Sequence, residues 1–140
     1  MRAWTQSTGT AALKARVGES DLCEVHGTHR GAEASHRRDL SKHPDEPWSP
    51  VNLLWVCSAA HAWFHAKSLL ADDGGWRIVR DDTPPQARPV WLAVPWPGWW
   101  LLTLNGTDGT GARQHLAEPV GDPAHLGLPT RPAVLPPGPT

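Results

Sequence analysis

Polar and apolar residues follow four kinds of pattern along the chain. From Thr8 to Val17 the run TGTAALKARV fits a short helix, with Thr8 or Thr10 as N-cap and Gly18 just past its end. Two runs with strand character follow, AEASHR (32–37) and NLLWVC (52–57), separated by the polar, Pro-punctuated loop DLSKHPDEPWSP. SAAHAWFHAKSLLA then offers Ser58 as a cap, no internal Gly or Pro, and Gly74-Gly75 as a stop, which predicts a helix from Ala59 to Ala71. After the double glycine, WRIVR, PVWLAV and GWWLLTL are short β-branched and aromatic runs that predict a small antiparallel meander. From Asn105 onward the chain is Gly, Thr, Pro and Ala with scattered charge. Such a segment has little apolar surface to offset ordering entropy, so it is expected to be disordered.

A chain of 140 residues carries one modest hydrophobic core. The expected organisation is an arm at 1–20, a compact unit at 21–72, a β-rich extension at 73–104 and a tail at 105–140. The only strongly apolar stretch, residues 90–104, is interrupted by Pro95 and Pro97 and falls short of the roughly 20 residues of a membrane-spanning helix. Two cysteines do not build a secreted disulfide scaffold, and residues 1–20 lack a signal-peptide pattern, so the expected location is cytoplasmic. A net charge of −1 argues against bulk electrostatic coating of nucleic acid, so any work on DNA must come from a local site.

Both cysteines and six of the eight histidines fall between residues 21 and 68, which places the chemistry there. His61 and His65, four apart on the predicted helix, leave the same face about one turn apart and suit one metal ion. One of them at a half-buried core edge is the plainer alternative. With Ser35-His36 on the preceding strand and Asn52 opening the next, strand, loop, strand and helix close a site around His36, Asn52, His61 and His65.

The order His36, Asn52, His61, with SHRR, WSPVNLLWVC and HAWFHA around it, resembles the HNH endonuclease family of actinobacteria and their phages. GWRIVRDDTPPQARPVW resembles the segment that follows the motif there. The resemblance spans roughly residues 21–104 and implies an α+β fold: a ββα-metal unit with a short β-rich extension. It implies a metal-dependent endonuclease acting on DNA, with His36 as general base, His61 and His65 on a divalent ion (Mg²⁺, Mn²⁺, Ni²⁺ or Zn²⁺), and Asn52 fixing the strand that carries His36. Glu33 matches a position that in related nucleases carries a carboxylate behind a ligand histidine; a solvated surface Glu is the alternative. Ser35 stands where many members have a further metal ligand, and is a poor one. Phage packaging proteins, a terminase among them, are partners the resemblance suggests.

Many HNH proteins also hold a structural zinc on two Cys-x-x-Cys knuckles. Here these positions read Cys23-Glu24-Val25-His26 and Cys57-Ser58-Ala59-Ala60, leaving Cys23, His26 and Cys57 as ligands. His29 or a water completes the set, or the two thiols are simply buried and tryptophan packing holds the fold. Arg37 and Arg38, directly after the base, are expected to contact phosphate, with Lys42, His43 and Lys67 on the same face. Trp48, Trp55 and Trp63 are expected under the ββα unit. The rival to the enzyme is a non-catalytic zinc-finger-like module that binds DNA or protein.

Overall fold

The computed structural model describes residues 4–39, 46–103 and 117–139. Lys42, His43 and His115 lie outside the described residues. The first helix, α1 (Gln6–Val17), starts earlier than the apolar pattern suggests. Its cap is Thr5, whose hydroxyl accepts from the Thr8 N–H while the Thr8 hydroxyl accepts from the Thr5 N–H, a reciprocal box that outcompetes Thr8 or Thr10 as caps. Gly9 is required inside this helix: a Cβ there would lie 2.0 Å from the Trp48 carbonyl oxygen.

Strands β1 (Glu33–His36) and β2 (Leu53–Val56) pair antiparallel, Glu33 opposite Val56 and His36 opposite Leu53. A 3-10 turn, Pro50–Asn52, leads into β2. Leu53, Leu54 and Val56 are fully buried because β2 is covered on both sides. Helix α1 packs on one side, and Leu54 and Val56 join the main core on the other.

The helix after β2 is two helices, α2 (Ser58–Ala66) and α3 (Ser68–Asp73), broken at Lys67 with φ −124° and ψ 54°. The break turns Ala71 and Asp72 into the interior. No Gly or Pro marks it.

Strands β3 (Val90–Leu92), β4 (Gly98–Leu102) and β5 (Ala117–Pro119) form a second antiparallel sheet in that order. Two of the three predicted meander strands are present, but WRIVR is not a strand. The backbone N–H groups of Val79 and Arg80 both donate to the buried Asp72 carboxylate, which removes them from any ladder. The third strand comes instead from the segment expected to be disordered. Val120 N–H donates to the Trp99 carbonyl and the Trp99 indole to the Pro129 carbonyl, while Pro132 and Pro136 are buried. Residues 117–139 are therefore anchored to the body by a strand, these bonds and two buried prolines, although most of them are exposed, where composition led to the expectation of a loose tail.

The core is centred on Trp76 and Trp100 rather than on Trp48, Trp55 and Trp63, which are half-buried. Trp76 stacks on Phe64 at 5.8 Å between ring centroids, and its indole N–H reaches the Trp91 carbonyl at 2.7 Å. Small α+β architecture is thus plain: three α-helices and two small antiparallel sheets among the described residues. None of these helices is long and apolar enough to cross a membrane.

Candidate metal centres and the histidine site

The β1–β2 hairpin and α2 bring His36, Asn52, His61 and His65 together. Asn52, 1% exposed, bridges the two strand ends: its Oδ1 accepts from the Arg38 N–H at 2.9 Å, and its Nδ2 donates to the carbonyls of Arg38 and Pro47. All these side-chain bonds go to backbone, so Asn52 holds the end of β1 in place. His36 closes β1, its ring edge-on to Trp48 at 4.3 Å. Its Nε2 is buried and has no hydrogen-bond partner among the described residues. Burial first, and then the positive charges of His61 and Arg77, push the His36 imidazole below its usual value, with Asp39 opposing.

On α2, the Nε2 atoms of His61 and His65 converge to 3.2 Å. Two nitrogens on one tetrahedral ion, each at about 2.0–2.1 Å, lie about 3.3–3.4 Å apart, so the spacing is that of a chelate. Glu33 Oε2 sits 3.0 Å from His61 Nδ1. A carboxylate accepting there leaves the proton on Nδ1 and the lone pair on Nε2, the arrangement that orients ligand histidines. Ser35 is on the same strand but is fully buried, with its hydroxyl unpartnered among the described residues. No contact joins it to His61 or His65 among the described residues.

Arg37 and Arg38 do not face a phosphate. Arg37 is fully buried and donates to four carbonyls, those of Gly75, Val51, Pro85 and Arg88, its guanidinium pushed down to about 9 chiefly by burial. Arg38 reaches the carbonyls of Asp81 and Thr83 and the Asp82 carboxylate. The loop after α3, which carries few backbone bonds of its own, is held by these two side chains. Arg77 was not signalled by the sequence pattern, yet its charge acts on both His36 and His65: it donates to the His36 carbonyl and pairs with Asp39 at 2.5 Å.

The second centre gathers Cys23, His26, His29 and Cys57, whose ligand atoms all lie within 4.8 Å of one another. It is the one group of three or more His, Cys, Asp or Glu residues among the described residues with spacing for a metal ion. His26 Nδ1 stands 3.4 Å from Cys23 Sγ and 3.6 Å from Cys57 Sγ. Zinc bonds of about 2.3 Å to sulfur and 2.0–2.1 Å to nitrogen set a sulfur–nitrogen edge of about 3.6 Å, so the residues fit. His29 supplies the fourth position: its Nε2 is buried and unpartnered, while its Nδ1 lies 3.2 Å from the Thr28 hydroxyl. Ala60 is fully buried in the apolar core. Burial pushes the Cys23 thiol up, against N–H groups of Cys57, Val25 and His26 aimed at its sulfur, which are suited to a thiolate. The spacing Cys-x-x-His-x-x-His was the available signal for His29.

Set beside protein-family models, curated proteins and solved structures, the chain matches none. Only the geometry bears on what the two centres do.

Proposed function

We propose that this chain is a metal-dependent endonuclease of the HNH type that hydrolyses DNA phosphodiester bonds, with a structural zinc at the Cys23, His26, His29 and Cys57 cluster. The observation that carries it is the unpartnered, buried His36 Nε2 on the strand next to a pair of imidazoles converging at 3.2 Å with a carboxylate behind one of them. A half-buried imidazole whose Nε2 has no partner among the described residues, held below its usual value, is unprotonated at neutral pH and so free to take a proton.

His36 Nε2 accepts the proton of a water aligned on phosphorus. Asn52 keeps β1 and the loop after it in register so that this nitrogen stays in place. His61 and His65 would hold a divalent ion, which would supply positive charge against the phosphate oxygens and the departing 3′-oxygen. Glu33 accepts from His61 and keeps the ligand nitrogen turned inward. With only these two nitrogens at the site, an ion there would be weakly held. Because Arg37 and Arg38 are committed to carbonyls and a carboxylate, DNA binding rests on few cations and falls with salt.

The test is incubation of the purified protein with supercoiled plasmid in Mg²⁺, Mn²⁺, Ni²⁺ or chelator, with His36→Ala alongside. Metal-dependent relaxation is expected, lost by about 10²-fold or more in the variant. Absence of cleavage with every ion, from folded protein that still retards DNA in a gel, would reject the nuclease and leave the binding module.

A further inference from the structure

His26 Nδ1 faces the two sulfurs, so its Nε2 points away from the metal cluster, and it meets the carbonyl oxygen of Pro136 at 2.9 Å. That contact joins residues 110 apart in sequence. Pro132 and Pro136 are buried while residues 133–135 and 137 are exposed, so the segment touches the body at separated points. A Cβ on Gly138 would lie 3.8 Å from His29 Cε1, which puts the same segment over the second histidine.

We infer that residues 132–138 form a latch over the Cys23, His26, His29 and Cys57 site, and that metal occupancy and latch docking favour each other. The inference rests on the zinc reading of that cluster. Its physical basis is the imidazole tautomer. Metal on Nδ1 fixes the proton on Nε2 and polarises that N–H toward the Pro136 carbonyl. Without metal the proton exchanges between the two nitrogens, and the tautomer with a bare Nε2 sets a lone pair against a carbonyl oxygen. Few other polar contacts hold this stretch among the described residues, so the bond to His26 has leverage over its docking. By linkage, whatever the metal adds to docking, docking adds to metal affinity.

The experiment uses ¹⁵N-labelled full-length chain loaded with Zn²⁺, with Co²⁺ substitution to read sulfur and nitrogen ligation by absorption. Backbone order parameters are measured for Ala133, Val134, Leu135 and Gly138. They are expected near 0.85 in the loaded protein and below about 0.6 after chelation. His26→Cys separates the latch from the metal, because a thiolate keeps a fourth ligand but has no N–H for Pro136. That variant should bind Co²⁺ tetrahedrally and still lose order at these four amides. Truncation after Thr130 should weaken zinc about tenfold or more in competition with a chromogenic chelator. Unchanged order parameters in both chelated protein and metal-loaded His26→Cys, or an unchanged zinc affinity on truncation, would overturn the latch. A full-length chain that takes up neither ion would overturn the zinc reading and the latch with it.

Discussion

His36 is the residue on which the proposed chemistry would turn, and its environment makes it sensitive to pH in a defined direction. Its imidazole is held below the usual value near 6.5, by burial first and then by His61 and Arg77. His29, lowered by burial and then by His26, and His65, lowered by burial and then by Arg77 and His61, are shifted the same way. As pH falls through about 6.5 the unfolded chain takes up protons that the folded chain refuses. The stability these groups contribute is therefore complete above that value and lost toward the lower folded ones. In chelator, so that no bound ion competes with protons, the urea midpoint should drop between about pH 7.5 and about pH 5.5, and His36→Gln should shrink the drop. An equal midpoint at both pH values would refute the assignment. At this scale the sequence was informative about where His36, Asn52, His61 and Glu33 stand, because their placement follows from residue spacing on a hairpin and helix. It was misleading about Arg37 and Arg38, since a guanidinium beside His36 has the same letters whether it meets phosphate or backbone carbonyls.

At the scale of elements, Asp72 governs how the chain leaves the helical region. It is 2% exposed; its carboxylate takes the N–H groups of Val79 and Arg80 and the Arg88 guanidinium, and its carbonyl also accepts from Arg88. Burial alone would raise its pKa, yet the bonds from Arg88, Val79 and Arg80 together hold it below the usual carboxylate range. Asp72→Ala should cost about 3–5 kcal/mol, because it strands a partly buried guanidinium and two backbone donors. Urea unfolding measures this, and a loss under about 1 kcal/mol would show that water replaces the carboxylate at no cost. The segment after the double glycine has the β-branched composition of a strand, and its hydrogen-bonding groups are diverted by a side chain that reads as an ordinary helix-end Asp. The breaking of the predicted helix at Lys67 was equally hidden, since it serves the burial of Ala71 and Asp72 and not a local preference.

Across the whole molecule, one buried ion pair ties the N-terminal arm to everything else. Arg16 makes a two-pronged contact with Glu24 at 2.9 and 2.8 Å, and also donates to the carbonyls of Pro50 and Leu53. Glu24 in turn accepts from the Trp55 N–H, and its own carbonyl takes the N–H of Ala93, just past β3. Side chains of both are at most 5% exposed. Glu24→Ala should destabilise by about 3–5 kcal/mol through the uncompensated Arg16 charge. The Arg16→Met, Glu24→Leu double variant should recover much of that loss, since it removes both charges at once. A single-variant loss as small as that of a surface pair, under about 1 kcal/mol, would show the pair to be screened. Helix α1 is therefore no separate arm: it packs on β2, and Arg16 in its last turn braces the hairpin that carries His36.

What the sequence by itself determined was local: the hairpin, the helix after it, two strands of the extension, and a concentration of His and Cys at ligand spacing. These follow from periodicity, capping and side-chain chemistry within about a dozen residues. The tertiary structure alone decided which partners distant groups found. It brought His29 to Cys57 and the carbonyl of Pro136 to His26, placed the arginines after His36 among carbonyls, and added β5 to the sheet from a segment whose composition promised none. The physical reason is that satisfying a buried polar group is a global condition. Every carbonyl, carboxylate and imidazole taken from water needs a partner, and only the closed fold settles which residue supplies it.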